Sequence, residues 1–168
     1  KECAYTLKHQ PKKISVVMHT KSNVSNGSVA WAPKRMDVFD VVSQYQISTG
    51  WFEELVIHDY RHVVQMDKLN QGLTRILYFL LGEQAIGAVA GLYLPSWYLE
   101  GDAVCTETGL SNSGRGRQAD FSMGLRAQLM EKKKYSYAKA YFGSYKNYVP
   151  NHYEMGYVVV ANARDIYG

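Results

Sequence analysis

Two histidines and an acid on one predicted helix are the residues of this chain whose types and spacing could do chemistry. In the stretch 51–66, apolar residues recur with the spacing of a helix packed on one side. His58 and His62 lie four residues apart, so both imidazoles project from the same face, one turn from each other. Two imidazoles placed in this way can bind one zinc ion without bending the backbone. Asp59 lies between them, so the pattern indicates a zinc site bordered by a carboxylate.

A third protein ligand is needed, because two histidines hold zinc weakly and a catalytic site keeps its fourth position for water. Glu100 is the best candidate, since it lies early in a second predicted helix that follows the turn at Pro95. Glu107 is seven residues further on the same face and could support a histidine by a hydrogen bond. Asp102 points elsewhere on that helix. The predicted ligand set is therefore His58, His62 and Glu100.

A small sheet is predicted before the histidine helix. Residues 14–20 are rich in β-branched side chains and indicate a strand, and residues 25–27 supply turn chemistry. Residues 28–31 can return as the partner of the first strand, and residues 32–39 continue in an extended conformation that can pair again. Residues 48–50 (Ser, Thr, Gly) can cap the histidine helix.

The rest of the chain is predicted to be mainly helical. Residues 75–81 form a short apolar helix, and residues 82–91 carry three glycines, which suggests close helix packing or a mobile lid. The helix that contains Glu100 has Pro95 in its first turn, holds residues 98–107 and ends near Gly109, and residues 153–167 form the last helix. The predicted fold class is α+β.

Tyrosines are concentrated towards the end of the chain, where eight of the 14 lie between Tyr135 and Tyr167. Four of them follow a 4-4-3 spacing that favours a packed helical face, namely Tyr137, Tyr141, Tyr145 and Tyr148. Tyrosines at a surface also suit contact with carbohydrate or protein. A non-catalytic module that grips a peptide or a glycan therefore stays open, with residues 28–31 adding an extended peptide to a sheet edge.

Length and charge limit the classes of function. A chain of 168 residues is one domain, or a domain with an extension. The net charge of +4 is mild, and the tight basic run at 132–134 favours a solvated helix end, so we expect no nucleic-acid partner. Cys3 and Cys105 could form one disulfide or stay free.

The most apolar region does not predict a membrane span. Its longest uncharged run, residues 84–99, has 16 residues and falls short of the ~20 that cross a bilayer. We therefore expect no transmembrane segment, and contact of residues 76–94 with a membrane surface is the remaining alternative. Because the chain opens at Lys1, we expect a fragment of a longer chain, with further domains possible after Gly168.

Two motifs carry a resemblance to a known family. His58-Asp-Tyr-Arg-His62 followed by Pro95-Ser-Trp-Tyr-Leu-Glu-Gly-Asp-Ala103 resembles the gluzincin metallopeptidases of the peptidase MA-like group. There an HExxH helix precedes a P-x-W-x-x-E-G-x-A segment. The chain also resembles the peptidase-like modules that precede a β-propeller in some bacterial envelope proteins. The resemblance implies a single zincin-like domain over residues 1–168, a peptide or protein substrate, and a secreted, periplasmic or envelope location.

The resemblance also implies a role for each residue. His58, His62 and Glu100 would bind zinc, and Asp59 stands where the family has the glutamate that acts as general base. The last helix closes over the metal in such domains, so it would offer hydrogen-bond donors to a developing oxyanion: His152, Tyr153 and Tyr157.

Asp59 is the departure from the family pattern. Asp is one methylene shorter than Glu, so its carboxylate would lie ~1–1.5 Å back from the water, and such a displacement can cost ~100-fold in rate. Three interpretations follow: a slow zinc peptidase, a metal-binding domain without turnover, or an inactive form. Zinc binding is compatible with all three.

Overall fold

The computed structural model describes residues 1–42 and 50–167 and divides the chain into two compact units, residues 1–95 and 96–168. The described residues form three strands and seven α-helices, which confirms the predicted α+β class with a small N-terminal sheet and a mainly helical remainder. None of the helices in these ranges combines the length and the apolar character needed to cross a membrane. Neither Cys3 nor Cys105, both of which are described, is part of a disulfide.

The sheet of the first unit has a different order from the predicted one. Its strands are β1 (Ser15–His19), β2 (Asn26–Trp31) and β3 (Lys34–Phe39), and β3 lies in the centre, parallel to β1 and antiparallel to β2. The predicted pairing of the second strand with the first is therefore wrong. Trp31 pairs with Lys34, so only two residues connect β2 to β3. A hairpin this short closes at less entropic cost than the longer return to β1.

The histidine helix packs against this sheet. It is α1 (Trp51–Leu69), and α2 (Leu73–Leu81) and α3 (Gln84–Tyr93) follow it. Met36 and Val38 of β3 and Val63 of α1 form a buried core, against which four partly buried side chains pack: Ile14, Val29, Leu55 and Tyr60. Gly50 precedes α1 without a side-chain cap, and the other two predicted cap residues, Ser48 and Thr49, lie outside the described residues.

Polar side chains of α1 attach the N-terminal segment and the sheet. The buried Arg61 donates a hydrogen bond to Thr6 Oγ1 at 2.8 Å and another to the carbonyl of Cys3. Near the end of the helix, Asp67 accepts hydrogen bonds from His9, at 2.8 Å, and from the Lys34 ammonium. Desolvation opposes the ionised form of Asp67, but the bonds from Lys34 and His9 prevail and lower its pKa.

His19, at the end of β1, holds a carboxylate of the central strand. Its Nε2 lies 2.9 Å from Asp37 Oδ1, and Arg35 Nε donates to Asp37 Oδ2 at 2.8 Å. The imidazole also stacks on Phe39, with ring centroids 4.5 Å apart. The hydrogen bond from His19 lowers the pKa of Asp37; Arg35 adds to this effect and desolvation opposes it.

The lowered pKa of Asp37 predicts that the protein loses stability in acid. A carboxylate whose pKa is lower in the folded than in the unfolded chain stabilises fully above about pH 4, the ordinary value, and this contribution disappears as the pH falls below it. We expect the free energy of unfolding, measured with urea from pH 7 to pH 3, to fall more steeply in the parent than in Asp37→Asn. The exposed Asp120→Asn is the control and should keep the parental slope; equal slopes in all three proteins would contradict the prediction.

The second unit is helical. Its elements are α4 (Ser96–Leu110), a 3-10 helix (Arg115–Arg117), α5 (Met123–Lys132), α6 (Tyr137–Phe142) and α7 (His152–Tyr167). The predicted tyrosine face is wrong in its second half. Gly143 has φ +81° and ends α6, so Tyr145 and Tyr148 lie beyond the helix. Tyr137 and Tyr141 stack with centroids 5.8 Å apart, but both are exposed rather than packed.

Two glycines allow α4 and α7 to cross in close contact. A Cβ on Gly101 would lie 2.2 Å from the carbonyl carbon of Gly156, and a Cβ on Gly156 would lie 2.0 Å from the Trp97 carbonyl oxygen. The obstructing atoms belong to the backbone, so they cannot move aside by a rotamer change. The crossing of α4, which carries Glu100, with α7 therefore depends on these two residues.

Gly101→Ala is expected to destabilise the protein by ~1–3 kcal/mol, the usual cost of inserting atoms into a packed interior. Gly109→Ala is the matched control on the same helix, because a Cβ there meets nothing within 4 Å. The control should gain up to ~1 kcal/mol from helix propensity. Urea unfolding of the three proteins measures both values, and an equal effect of the two substitutions would contradict the close crossing.

Candidate metal centre

His58 and His62 of α1 direct the same ring nitrogen towards each other. The two Nε2 atoms are 3.1 Å apart, and the rings meet edge to face with centroids 4.8 Å apart. Two ligands of a tetrahedral zinc ion with bonds of ~2.0–2.1 Å are ~3.4 Å apart. The imidazole pair therefore has nearly the separation that one shared metal ion requires.

Gln65, one turn after His62, orients the second imidazole. His62 Nδ1 lies 2.8 Å from Gln65 Oε1. An amide oxygen can only accept, so this bond places the proton on Nδ1 and makes Nε2, which faces the other imidazole, the nitrogen that could bind a metal. Sequence reasoning missed this residue. A signal was present, because Glu54, His58 and Gln65 are buried polar side chains at helical spacing on α1.

Glu100 lies on the second turn of α4, in the second unit, and is the carboxylate that the sequence motif predicts as the third ligand. Two imidazole nitrogens and one carboxylate oxygen form a donor set that suits zinc and leaves a position for water.

Asp59 lies against the second strand. Its side chain is 4% exposed, and a Cβ on Gly27 of β2 would lie 2.2 Å from Asp59 Oδ2 and 3.1 Å from Leu55. A side chain at position 27 would therefore displace this carboxylate. The sequence indicated a turn at residues 25–27, so this supporting role of Gly27 was not predicted.

The predicted donors lie on α7. His152 is exposed and its ring centroid is 4.7 Å from that of Tyr153, over which the Arg115 guanidinium lies at 5.2 Å. Tyr157 is half-buried beside Phe121, and a Cβ on Gly116 would lie 2.3 Å from its ring. Burial raises the pKa of Tyr157, which keeps its hydroxyl protonated and able to donate. The role of these residues as donors stays a prediction.

Glu107 anchors the loop after α4. It is fully buried, and Arg115 donates to its two carboxylate oxygens through Nε and Nη2, at 2.7 Å each, and through its backbone N–H at 3.1 Å. Desolvation opposes the charge of Arg115, but the bonds to Glu107 prevail and raise its pKa. A bidentate pair of this kind fixes geometry. The sequence suggested this carboxylate as a partner for a histidine, and that role stays a prediction.

Comparison of the chain with models of known protein families, with curated proteins and with solved structures gives no match.

Proposed function

We propose that this chain is a zinc-dependent metallopeptidase-like domain of the gluzincin type, in which His58, His62 and Glu100 hold the metal. The separation of 3.1 Å between the two imidazole Nε2 atoms carries the proposal. The two sequence motifs support the same ligand set independently of the coordinates. The proposed fold is accordingly zincin-like, within the α+β class.

The proposed reaction is hydrolysis of a peptide bond. Bound zinc would polarise a water molecule and lower its pKa. Asp59 would accept the proton of that water and pass it to the leaving amine. Gln65 keeps the His62 ring oriented, and the donors proposed on α7 would stabilise the oxyanion. The substrate would be a peptide or protein, and by the resemblance the domain would act outside the cytoplasm, in the periplasm, at the envelope or after secretion.

A second candidate function is a zincin-fold module that binds zinc and grips a peptide or glycan without turnover. The observation that favours it is the short Asp59 side chain, which lies against Gly27 and ends one methylene earlier than the glutamate of the family. Zinc binding belongs to both candidates. Measured peptide cleavage therefore decides between the two candidate functions.

Metal analysis combined with a cleavage assay tests the proposal. Purified protein should contain about one zinc ion per chain, and mass spectrometry of a mixed peptide library should reveal cleaved products. A chelator should abolish cleavage, and added zinc should restore it. Zinc without cleavage would favour the second candidate, and protein that neither contains nor takes up zinc would refute both.

Gly27→Ala is expected to lower the cleavage rate by at least ~10-fold, because the new methyl group displaces the Asp59 carboxylate and small misplacements of a catalytic group are costly. Zinc content should not change, since none of the three ligands is touched. Gly91→Ala, where a Cβ meets nothing within 4 Å, is the matched control. Unchanged cleavage in Gly27→Ala with intact folding would remove Asp59 from the reaction.

A further inference from the structure

A cleft in the second unit lies apart from the proposed ligands in sequence. It has a volume of about 420 Å³ and is formed by the end of α5 and by segments on either side of α6. Its size is within the range of ~300–1,000 Å³ that is usual for sites of small ligands. Its lining combines amides, charges and aromatic rings: Ala127, Gln128, Glu131, Lys132, Tyr135, Lys146, Asn147 and Tyr148.

Several polar groups of the cleft are held in place by the protein itself. The Lys139 ammonium lies 3.8 Å from the centroid of the Tyr135 ring and donates to Asn147 Oδ1 at 2.6 Å. Gln128 donates from Nε2 to the carbonyl of Lys133. These bonds use one end of each amide and leave Asn147 Nδ2 and Gln128 Oε1 as a donor and an acceptor. A lining ordered in this way loses little entropy when a ligand binds.

The excess positive charge of the chain falls within the segment that forms most of this cleft. Residues 129–148 contain five lysines and one glutamate, a net +4, which equals the net charge of the whole chain. Lys132 and Lys146 line the cleft itself, and among the described residues neither ammonium has an ion-pair partner. The lining also includes Glu131, so the excess charge at the surface of the cleft is modest.

We propose that this cleft binds an acidic carbohydrate, an oligosaccharide that contains uronic acid units. The exposed ring of Tyr148, and the face of Tyr135 opposite the Lys139 ammonium, suit the C–H faces of sugar rings, because the electron-rich face of an aromatic ring attracts them. The two lysine ammonium groups suit carboxylates, and the free ends of the two amides suit hydroxyl groups. The volume accommodates about two sugar rings.

Nucleic acid fits this cleft less well. Single-stranded binders have grooves that follow ~4 or more nucleotides, and recognition of phosphate favours the bidentate guanidinium. This cleft is short and its lining contains lysine but no arginine. The short length of the cleft and its lysine side chains therefore favour a carboxylated ligand over nucleic acid.

Titration calorimetry of the full chain tests the proposal with three probes: oligogalacturonate, oligoalginate and hyaluronan oligosaccharide. At least one should bind, and the methyl ester of that probe should bind at least ~10-fold more weakly, because it lacks the charge. Lys132→Ala with Lys146→Ala should weaken binding by a similar factor. Lys12→Ala with Lys13→Ala removes the same charge from exposed residues elsewhere and should change affinity by less than ~2-fold.

The aromatic contribution has its own test. Tyr135→Ala should weaken binding of the acidic probe, whereas Tyr135→Phe keeps the ring and should retain the affinity. Three outcomes would overturn the proposal: no binding of any probe, equal loss in the cleft variant and the charge-matched control, or tighter binding of an oligothymidylate or of anionic vesicles than of the sugars. The measurement does not depend on the metal, so its failure would leave the proposed peptidase function untouched.

Discussion

His62→Ala is expected to weaken zinc binding by more than ~100-fold, because it removes one of the proposed ligands. Loss of a residue that only supports a ligand costs ~10–100-fold, and loss of a ligand should exceed that. The physical reason is that His58 and Glu100 would remain as two donors, and two donors hold zinc weakly. Equilibrium competition with a chromophoric chelator measures the zinc affinity directly, and this assay needs no catalytic activity.

The control for this experiment is His152→Ala, which removes an exposed imidazole from α7 and should leave zinc affinity unchanged. A graded series sharpens the result. Glu100→Ala should lose as much affinity as the histidine variant, and Gln65→Ala should lose only ~10-fold because it orients His62 without touching the metal. Full affinity in Glu100→Ala would remove that residue from the ligand set, and full affinity in His62→Ala would refute the site.

Asp59→Glu is expected to raise peptide cleavage by ~10- to 100-fold, the scale on which a well-placed general base acts. The longer side chain restores the ~1–1.5 Å of reach that aspartate lacks relative to the family glutamate. Zinc affinity should hardly change, since Asp59 is not one of the three proposed zinc ligands. The assay compares both forms on the same peptide library, with zinc content measured in each.

The surroundings of Asp59 make this test sharper. Its Oδ2 lies against Gly27, so the longer glutamate must extend away from β2 and not into it. Asp59→Asn is the matched control, because it keeps the shape but cannot accept a proton, and it should fall below the parent. If Asp59→Glu is no faster than an active parent, then the aspartate is already well placed. If neither form cleaves while both hold zinc, the binding module replaces the peptidase.

The sequence alone determined the features that depend on local periodicity. The spacing of apolar residues predicted α1, and the interval of four residues placed His58 and His62 on one face, because helix geometry is fixed by the backbone. The α+β class followed from the same patterns. The turn at Pro95 predicted the start of the helix that carries Glu100, and α4 begins at Ser96.

Tertiary structure decided what depends on residues distant in the chain. Strand order was one such feature: periodicity shows that a segment is a strand but not which strand it pairs with, and the short connection after Trp31 placed β3 in the centre. The end of α6 has a local cause instead: the tyrosine spacing continued past Gly143, whose positive φ stops the helix. Neither outcome can be predicted from the side-chain period of a strand, 2 residues, or of a helix, 3.6 residues.

The supporting residues of the candidate site were likewise visible only in three dimensions. The bonds from Arg115 to the Glu107 carboxylate and the contact of Gln65 with His62 were not predicted. Gly27 matters because a strand passes close to Asp59, which no local pattern indicates. Spacing along a helix fixes the direction of the ligands, but buried polar groups must find partners wherever packing brings them, and packing is a property of the folded chain.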